Sequence, residues 1–409
     1  VALIVQKFGG TSLSDPERIL NVAERISAEK MKGNDCVVVV SAMGKTTDQL
    51  ISLAKDVSNQ VNKREMDMLL STGEQVTIAL LSMALSQNGW EAASFTGWQA
   101  GIITEPVHGN ARILNIHTEK IREQLNKGKI VIVAGFQGVT EDGEITTLGR
   151  GGSDTTAVAL STALKASKCD IYTDVTGVYT TDPRHVKEAQ KLAAISYDEM
   201  LELAHLGAGV LHPRAVEFAK NHNVTLEVRS SIEKERGTII KEEVTMEQNL
   251  VVRGVAFEDE ITRVTVFGLP NCLTSLSTIF STLAKNNIDV DIIIQSMTSK
   301  EITDISFSIK NDTLKETLNV LEKNKDLLKY DHIESETGLA KVSIVGSGMV
   351  SNPGVAAEMF TVLSNNGIEI RMVSTSEIKI STVVNQQQML PAVNALHKAF
   401  KLSAIPIRS

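Results

Sequence analysis

Aromatic residues make up only 4% of this 409-residue chain, which holds just 3 cysteines, and their scarcity narrows the function classes. Cys36, Cys169 and Cys272 stand far apart with no C-x-x-C spacing, which excludes a disulfide framework or a zinc knuckle. Reduced thiols in a cytoplasmic protein are expected. No H-E-x-x-H pair occurs, and His212, before Pro213, reads as structural rather than as a catalytic base. No dense Lys/Arg run offsets the formal charge of −8, which argues against nucleic acid as a partner. Apolar runs such as 36–40 and 130–134 are strand-sized, so no membrane span is expected. The chain opens on a strand rather than on a charged, then apolar leader, so no signal peptide is expected either. Neither the P-loop pattern G-x-x-x-x-G-K-[ST] nor the dinucleotide pattern G-x-G-x-x-G is present. What remains is an ordinary composition, long enough for two or three domains with a sizeable core.

Two glycine turns stand out. Lys7-Phe8-Gly9-Gly10-Thr11-Ser12 follows the apolar run 2–5, and Gly149-Arg150-Gly151-Gly152-Ser153-Asp154 leads into a helical stretch at 155–165. Glycines let backbone N–H groups crowd an anion, and the following helix adds the positive end of its dipole. Lys7 and Arg150 supply full charges. One such pair is commonly just a tight turn; two, each with a cation and hydroxyls, point to a phosphorylated ligand.

Strands are expected at 3–6, 36–41, 130–134, 170–173 and 225–228. Helices lie between them, including 16–30 with Asp15 as N-cap and Pro16 at N1, and 66–86 with a break near Thr72-Gly73. This alternation predicts an α/β layer with an open, largely parallel sheet whose ligands bind beyond the strands' carboxyl ends. Asp142-Gly143 predicts a hairpin turn ahead of a strand at 144–148. The stretch 234–249 is charged and arrhythmic, and reads as a linker.

Beyond it the sequence repeats. Arg263-Val264-Thr265-Val266-Phe267-Gly268 matches Lys341-Val342-Ser343-Ile344-Val345-Gly346, and 280–290 matches 360–370. Each copy reads as a ferredoxin-like βαββαβ unit. The first finishes with a sixth element at 328–336. The second lacks one, and 249–256 is the expected donor, so the first copy is expected to be inserted in the second; two tandem units with a frayed end are the alternative.

Further polar residues fall at strand ends. The run 172–184 carries Thr173, Asp174, Tyr179, Asp182 and Arg184, suited to a nucleotide, with Tyr179 over a base and Arg184 on phosphate. Ser41, Thr47 and Glu74 are placed to meet an amino acid, Glu74 gripping its ammonium and Arg150 its carboxylate through a bidentate fork.

Lys7–Ser12, Ser71-Thr72-Gly73-Glu74, Gly149–Asp154 and 173–184, in that order, resemble the aspartokinases of the amino-acid kinase family. The C-terminal repeat resembles their paired ACT domains. The likeness spans essentially the whole chain and leans towards the lysine-sensitive type of Gram-positive bacteria. It implies an amino-acid kinase fold over 1–245, a first ACT unit at 262–337, and a second built from 249–261 plus 338–409. It also implies phosphoryl transfer from MgATP to the side-chain carboxylate of L-aspartate, in lysine biosynthesis. By motif, Lys7 would sit on the moving phosphoryl and Asp154 would orient it. Gly9, Gly10, Ser12, Thr173, Asp174, Tyr179, Asp182 and Arg184 would hold ATP, while Ser41, Thr47, Glu74 and Arg150 would hold aspartate. Mg²⁺ would ride on phosphates and water, with no metal ligand from the protein, and 45–63 is a candidate lid.

The same resemblance implies an effector, lysine alone or jointly with threonine, bound at the ACT units. Asp289, Asp291, Gln295 and Ser296 would line the first unit's site, and Glu369, Ser374 and Thr375 the second's. The second unit has Asn352-Pro353-Gly354 before its helix, whereas the first has Pro270-Asn271-Cys272-Leu273, so the two are not expected to bind equally. ACT units imply a homo-oligomer, at least a dimer, and Met246 stands where some relatives start a separate regulatory subunit. A glutamate kinase and an inactive amino-acid sensor are the competing readings.

Overall fold

A computed structural model describes residues 2–205, 210–242, 251–272 and 274–404. The chain divides into two compact units, the first built on 1–179 and 191–248, the second on 180–190 and 249–406. Met246 and the first two residues of the expected donor 249–256 lie outside the described residues.

The first unit runs β1 (Leu3–Phe8), α1 (Pro16–Met31), β2 (Asp35–Val40), α2 (Thr46–Val57), α3 (Lys63–Leu70), α4 (Thr72–Gln87), β3 (Ala92–Phe95), β4 (Ile102–Thr104), β5 (Ile113–Ile116), α5 (Glu119–Asn126), β6 (Ile130–Ala134), β7 (Gln137–Val139), β8 (Ile145–Thr147), α6 (Gly152–Leu164), β9 (Lys168–Thr173), β10 (Ala194–Ser196), α7 (Tyr197–His205), α8 (Pro213–Asn221), β11 (Leu226–Ser230) and β12 (Thr238–Lys241). Eight strands form the main sheet in the order β10-β12-β11-β9-β1-β2-β6-β3. All neighbours are parallel except β11 and β12. β6 throughout and β2 after Asp35 are unbroken apolar runs because helices cover both faces of a parallel sheet, leaving no polar side. Phe8, Val38, Val40, Ile130 and Ile132 pack with Ile19, Val22 and Ile26 of α1 and Leu81 and Leu85 of α4. Each fully buried aliphatic there contributes about 1.5–3 kcal/mol. Asp15 caps α1 by accepting from the Arg18 N–H, with Pro16 opening the helix. A smaller sheet, β5-β4-β7-β8, carries the second glycine turn at its end.

Two expectations about this unit need correction. The expected linker at 234–249 contains β12, whose Ile240 is buried and whose Thr238 hydroxyl donates to the Leu192 carbonyl; alternate residues sufficed to seat this strand. The expected catalytic span of 1–245 is interrupted, because 180–190 packs in the second unit. There Val186 enters the core, Thr180 O accepts from the Val255 N–H, and Thr180 Oγ1 meets His397 Nε2 at 2.9 Å. By length and composition alone the helical stretch Lys63–Gln87 could cross a membrane. Half of its most apolar window is buried in the unit, where α4 packs on α1, β3 and β6.

The second unit runs β13 (Gly254–Pro270), α9 (Ser275–Lys285), β14 (Ile293–Met297), β15 (Ile302–Lys310), α10 (Leu314–Lys323), α11 (Lys325–Leu328), β16 (His332–Val345), α12 (Val355–Asn365), β17 (Ile370–Thr375), β18 (Lys379–Asn385) and α13 (Met389–Ala399). Its six-stranded sheet has the order β14-β15-β13-β16-β18-β17. β13 and β16 are each one long strand serving both copies. Gly254–Glu258 pairs with Lys341–Val345 in the second copy, and Arg263–Phe267 with His332–Glu336 in the first. Bulges at Glu260 (φ 55°) and Gly338 (φ 70°) bend the two strands at matching places in the repeat. The expected sixth element of the first copy therefore begins at His332 rather than 328, because Leu328 ends α11 and Lys329 turns left-handed.

Candidate active site and its relatives

β1 ends at Phe8, and the chain turns at once through Gly9-Gly10 into a short 3-10 helix, Gly10–Leu13. Gly10 is required by contact: a Cβ there would lie 2.8 Å from the Ala42 carbonyl oxygen. This packing brings the turn against the loop after β2, which holds Ser41 and leads into α2, where Thr47 lies in the first turn. The second turn is set by Gly151, left-handed at φ 69°, where a Cβ would fall 2.1 Å from the His212 ring. His212 itself caps α8, its Nδ1 accepting from the Arg214 N–H.

Both turns open on one cavity of about 820 Å³. Lys7, Ser41, Thr47, Glu74, Arg150 and Asp154 all line it. Lys7 Nζ lies 2.6 Å from Asp154 Oδ1, an ion pair of which both members are nearly buried. Glu74 is 2% exposed, and among the described residues no cation pairs with it. Its Oε1 accepts from the Ala42 N–H at 3.2 Å and its Oε2 from Gln137 Nε2 at 3.3 Å. Burial pushes its carboxyl up to about 7, with hydrogen bonds opposing. An uncompensated carboxylate beside a cavity is a socket for a cation.

Ser12 lines a second cavity of about 680 Å³, with Tyr172 and, after β11, Ser231, Ile232 and Lys234. Its hydroxyl is buried and has no hydrogen-bond partner among the described residues. The first glycine turn thus lies between two cavities, Lys7 on one and Ser12 on the other.

The sequence reading missed Asp67, His108, Gly109, Asn110, Phe136 and Thr147, all lining the larger cavity. A carboxylate inside the apolar helix 66–86 was a visible signal for Asp67; the others became neighbours only through the small sheet. Among the residues expected on nucleotide, Thr173, Asp174 and Tyr179 line neither cavity. Thr173 Oγ1 donates to Asp174, and the Tyr179 hydroxyl meets Thr176 Oγ1 at 2.6 Å. Asp182 and Arg184 fall in the second unit, where the guanidinium forks onto the carboxylate at 2.6 and 3.0 Å.

The expected effector residues lie on the second unit's outermost strands or just before them. Asp289, Asp291, Gln295 and Ser296 belong to the β14 edge, and Glu369, Ser374 and Thr375 to the β17 edge, at opposite sides of the sheet. Asp291 is already engaged, since the buried Lys341 ammonium pairs with it and, at 2.9 Å, with Glu258. Arg371 donates to Glu369.

The amino acid kinase family pattern matches residues 2–230, and an ACT domain pattern matches 342–400. Over all 409 residues the chain is 76% identical to the aspartokinase of Bacillus sp. (strain MGA3), each covering 100% of the other. It is 69% identical over 406 residues to aspartokinase 2 of Bacillus subtilis (strain 168), with 99% of each covered. This chain belongs to the aspartokinases, in the amino acid kinase family. Among solved structures, E. coli aspartokinase III in complex with aspartate and ADP (R-state) superposes with a TM-score of 0.81 at 27% identity, over 97% of this chain and 99% of that one. The same enzyme in complex with lysine and aspartate (T-state) gives 0.77 at 28%, with the same coverage. An aspartokinase is a kinase, and the α/β kinase fold followed by ACT domains is the architecture described above.

Proposed function

We propose that this aspartokinase transfers the terminal phosphoryl group of MgATP to the side-chain carboxylate of L-aspartate, giving 4-phospho-L-aspartate at the head of lysine, threonine and methionine biosynthesis. The observation that carries the reading is the 820 Å³ cavity on which a Lys–Asp pair, a cation-seeking Glu74 and a guanidinium converge. Glu74 takes the substrate's ammonium, Arg150 its α-carboxylate, and Ser41 and Thr47 lend hydroxyls. The reacting carboxylate is already ionised near neutral pH, so no general base is needed. The barrier is the approach of one anion to another, and positioning and charge neutralisation carry most of the rate. Lys7, steered by Asp154, neutralises the moving phosphoryl. Gly9 and Gly10 supply backbone N–H donors, and Ser12 adds a hydroxyl from the side of the smaller cavity, where ATP enters. Thr173, Asp174 and Tyr179 hold the nucleotide further out, and Asp182 and Arg184 belong to the same motif. Mg²⁺ arrives with the nucleotide in this reading, carried mainly by its phosphates and by water. α2 buries none of its residues and follows Gly44 at φ 50°, which suits the segment 45–63 to close over the labile product.

Regulation by lysine, alone or jointly with threonine, and assembly at least to a dimer through the ACT units belong to the same reading. They are supported by the E. coli relative's complex with lysine and by the two exposed sheet edges. ADP release measured with aspartate against glutamate tests the substrate: equal rates would refute it, since Glu74 and Arg150 recognise only the amino-acid head.

A further inference from the structure

Asp67 lies within α3 and is fully buried. A buried carboxylate costs several kcal/mol unless compensated, and replacing it by an apolar residue commonly stabilises a fold. Among the described residues no lysine or arginine pairs with it. Its partners are instead three groups that lead to the active site. Oδ1 accepts from Thr147 Oγ1 at 2.6 Å, both oxygens accept from the Gly109 N–H at 3.0–3.1 Å, and Oδ2 meets His108 Nδ1 at 2.9 Å. A carboxylate only accepts, so the ring proton sits on Nδ1.

Each partner has a consequence for the cavity. Thr147 ends β8, and Leu148-Gly149-Arg150 follows directly. Its carbonyl accepts from the Ala111 N–H, and a Cβ at Gly149 would lie 2.8 Å from Asn110 Oδ1, so the 108–111 loop backs the turn that carries Arg150. Arg214 closes the same junction, donating from Nη1 to the Leu148 carbonyl and from Nη2 to the Ala111 carbonyl, each at 2.7 Å. His108, Gly109 and Asn110 line the cavity together with Glu74 and Arg150.

We propose that Asp67 is a positioning residue for aspartate, holding the His108–Asn110 loop and the Arg150 turn in register. This rests on reading the 820 Å³ cavity as the aspartate pocket. Displacement of a binding group by about 1 Å costs up to about 100-fold, so the effect falls on aspartate and not on nucleotide.

The test uses the full-length enzyme with Asp67→Asn, Thr147→Val and Thr147→Ser, varying aspartate and ATP separately. Asp67→Asn should raise KM for aspartate about tenfold or more and Thr147→Val a few-fold, with KM for ATP within about twofold of the parent. Thr147→Ser, which keeps the hydroxyl, should restore the parent value. If Asp67→Asn does not fold, the valine–serine pair decides. Folded variants with unchanged KM for aspartate, or with both KM values moving together as Tm falls, would overturn the assignment. Glu74→Gln is the control: if it too leaves KM for aspartate unchanged, the pocket reading fails and this inference falls with it. If it alone raises that KM, the pocket stands and Asp67 has only a structural role.

Discussion

Replacing Glu74 by Gln should weaken substrate binding and stabilise the protein in one step. The carboxyl rises from 4.5 to about 7 on folding because burial disfavours its charge. The folded state therefore holds the proton more tightly than the unfolded chain does. Below about pH 4.5 both states are protonated and there is no penalty; from there to about pH 7 ionisation of the unfolded chain erodes stability. Above that the loss levels off at about 3 kcal/mol. Gln escapes this cost but must reorient against Gln137, which donates to Glu74 and to the Ser71 carbonyl. A net rise in Tm of about 3–6 °C at pH 8, vanishing near pH 4.5, is expected by calorimetry. Loss of the ammonium contact in a desolvated cavity costs about 2–4 kcal/mol, raising KM for aspartate roughly 30- to 1000-fold. In the parent enzyme that KM should also climb as pH falls below about 7, because protonated Glu74 no longer balances the ammonium. An unchanged KM, or a Tm rise equal at both pH values, would refute this reasoning.

Lys7→Met should lower kcat about 1000-fold with little change in either KM, as read by initial rates. Gly237→Ala places a Cβ 1.8 Å from the Val228 carbonyl oxygen, so a loss of about 3 kcal/mol in urea unfolding is expected. Lys341→Met leaves Glu258 and Asp291 facing each other without their shared ammonium. Stability should fall by about 2–3 kcal/mol at neutral pH, less than for a fully buried pair because Asp291 is half exposed. The pairing raises the lysine above its ordinary range, so that contribution is full below about pH 10.5 and is lost only above it. Finally, millimolar lysine, alone or with threonine, should depress initial rates; activity indifferent to both would remove the regulatory reading.

Periodicity and turn chemistry act over a few residues, and where they govern the outcome the elements were legible. Asp15-Pro16 marks the start of α1, the Val-rich runs mark β2 and β6, and Asp142-Gly143 marks the β7–β8 turn, with Gly143 at φ 87°. β12 was missed because its alternating pattern is short and charged residues surround it. The segment 180–190 reads as a polar turn, yet its one buried valine settles where it packs.

The order of motifs and the repeat were enough to assign this chain to its family, because the charges and glycines that meet an anion must sit at strand ends in a set sequence. Tertiary structure alone made β13 and β16 common to both repeats, set the two edges expected to meet an effector apart, and enclosed Asp67 and Glu74 around one cavity. Those outcomes depend on which distant surfaces exclude water together, and burial, not residue type, is what gives a glutamate near pH 7 its meaning.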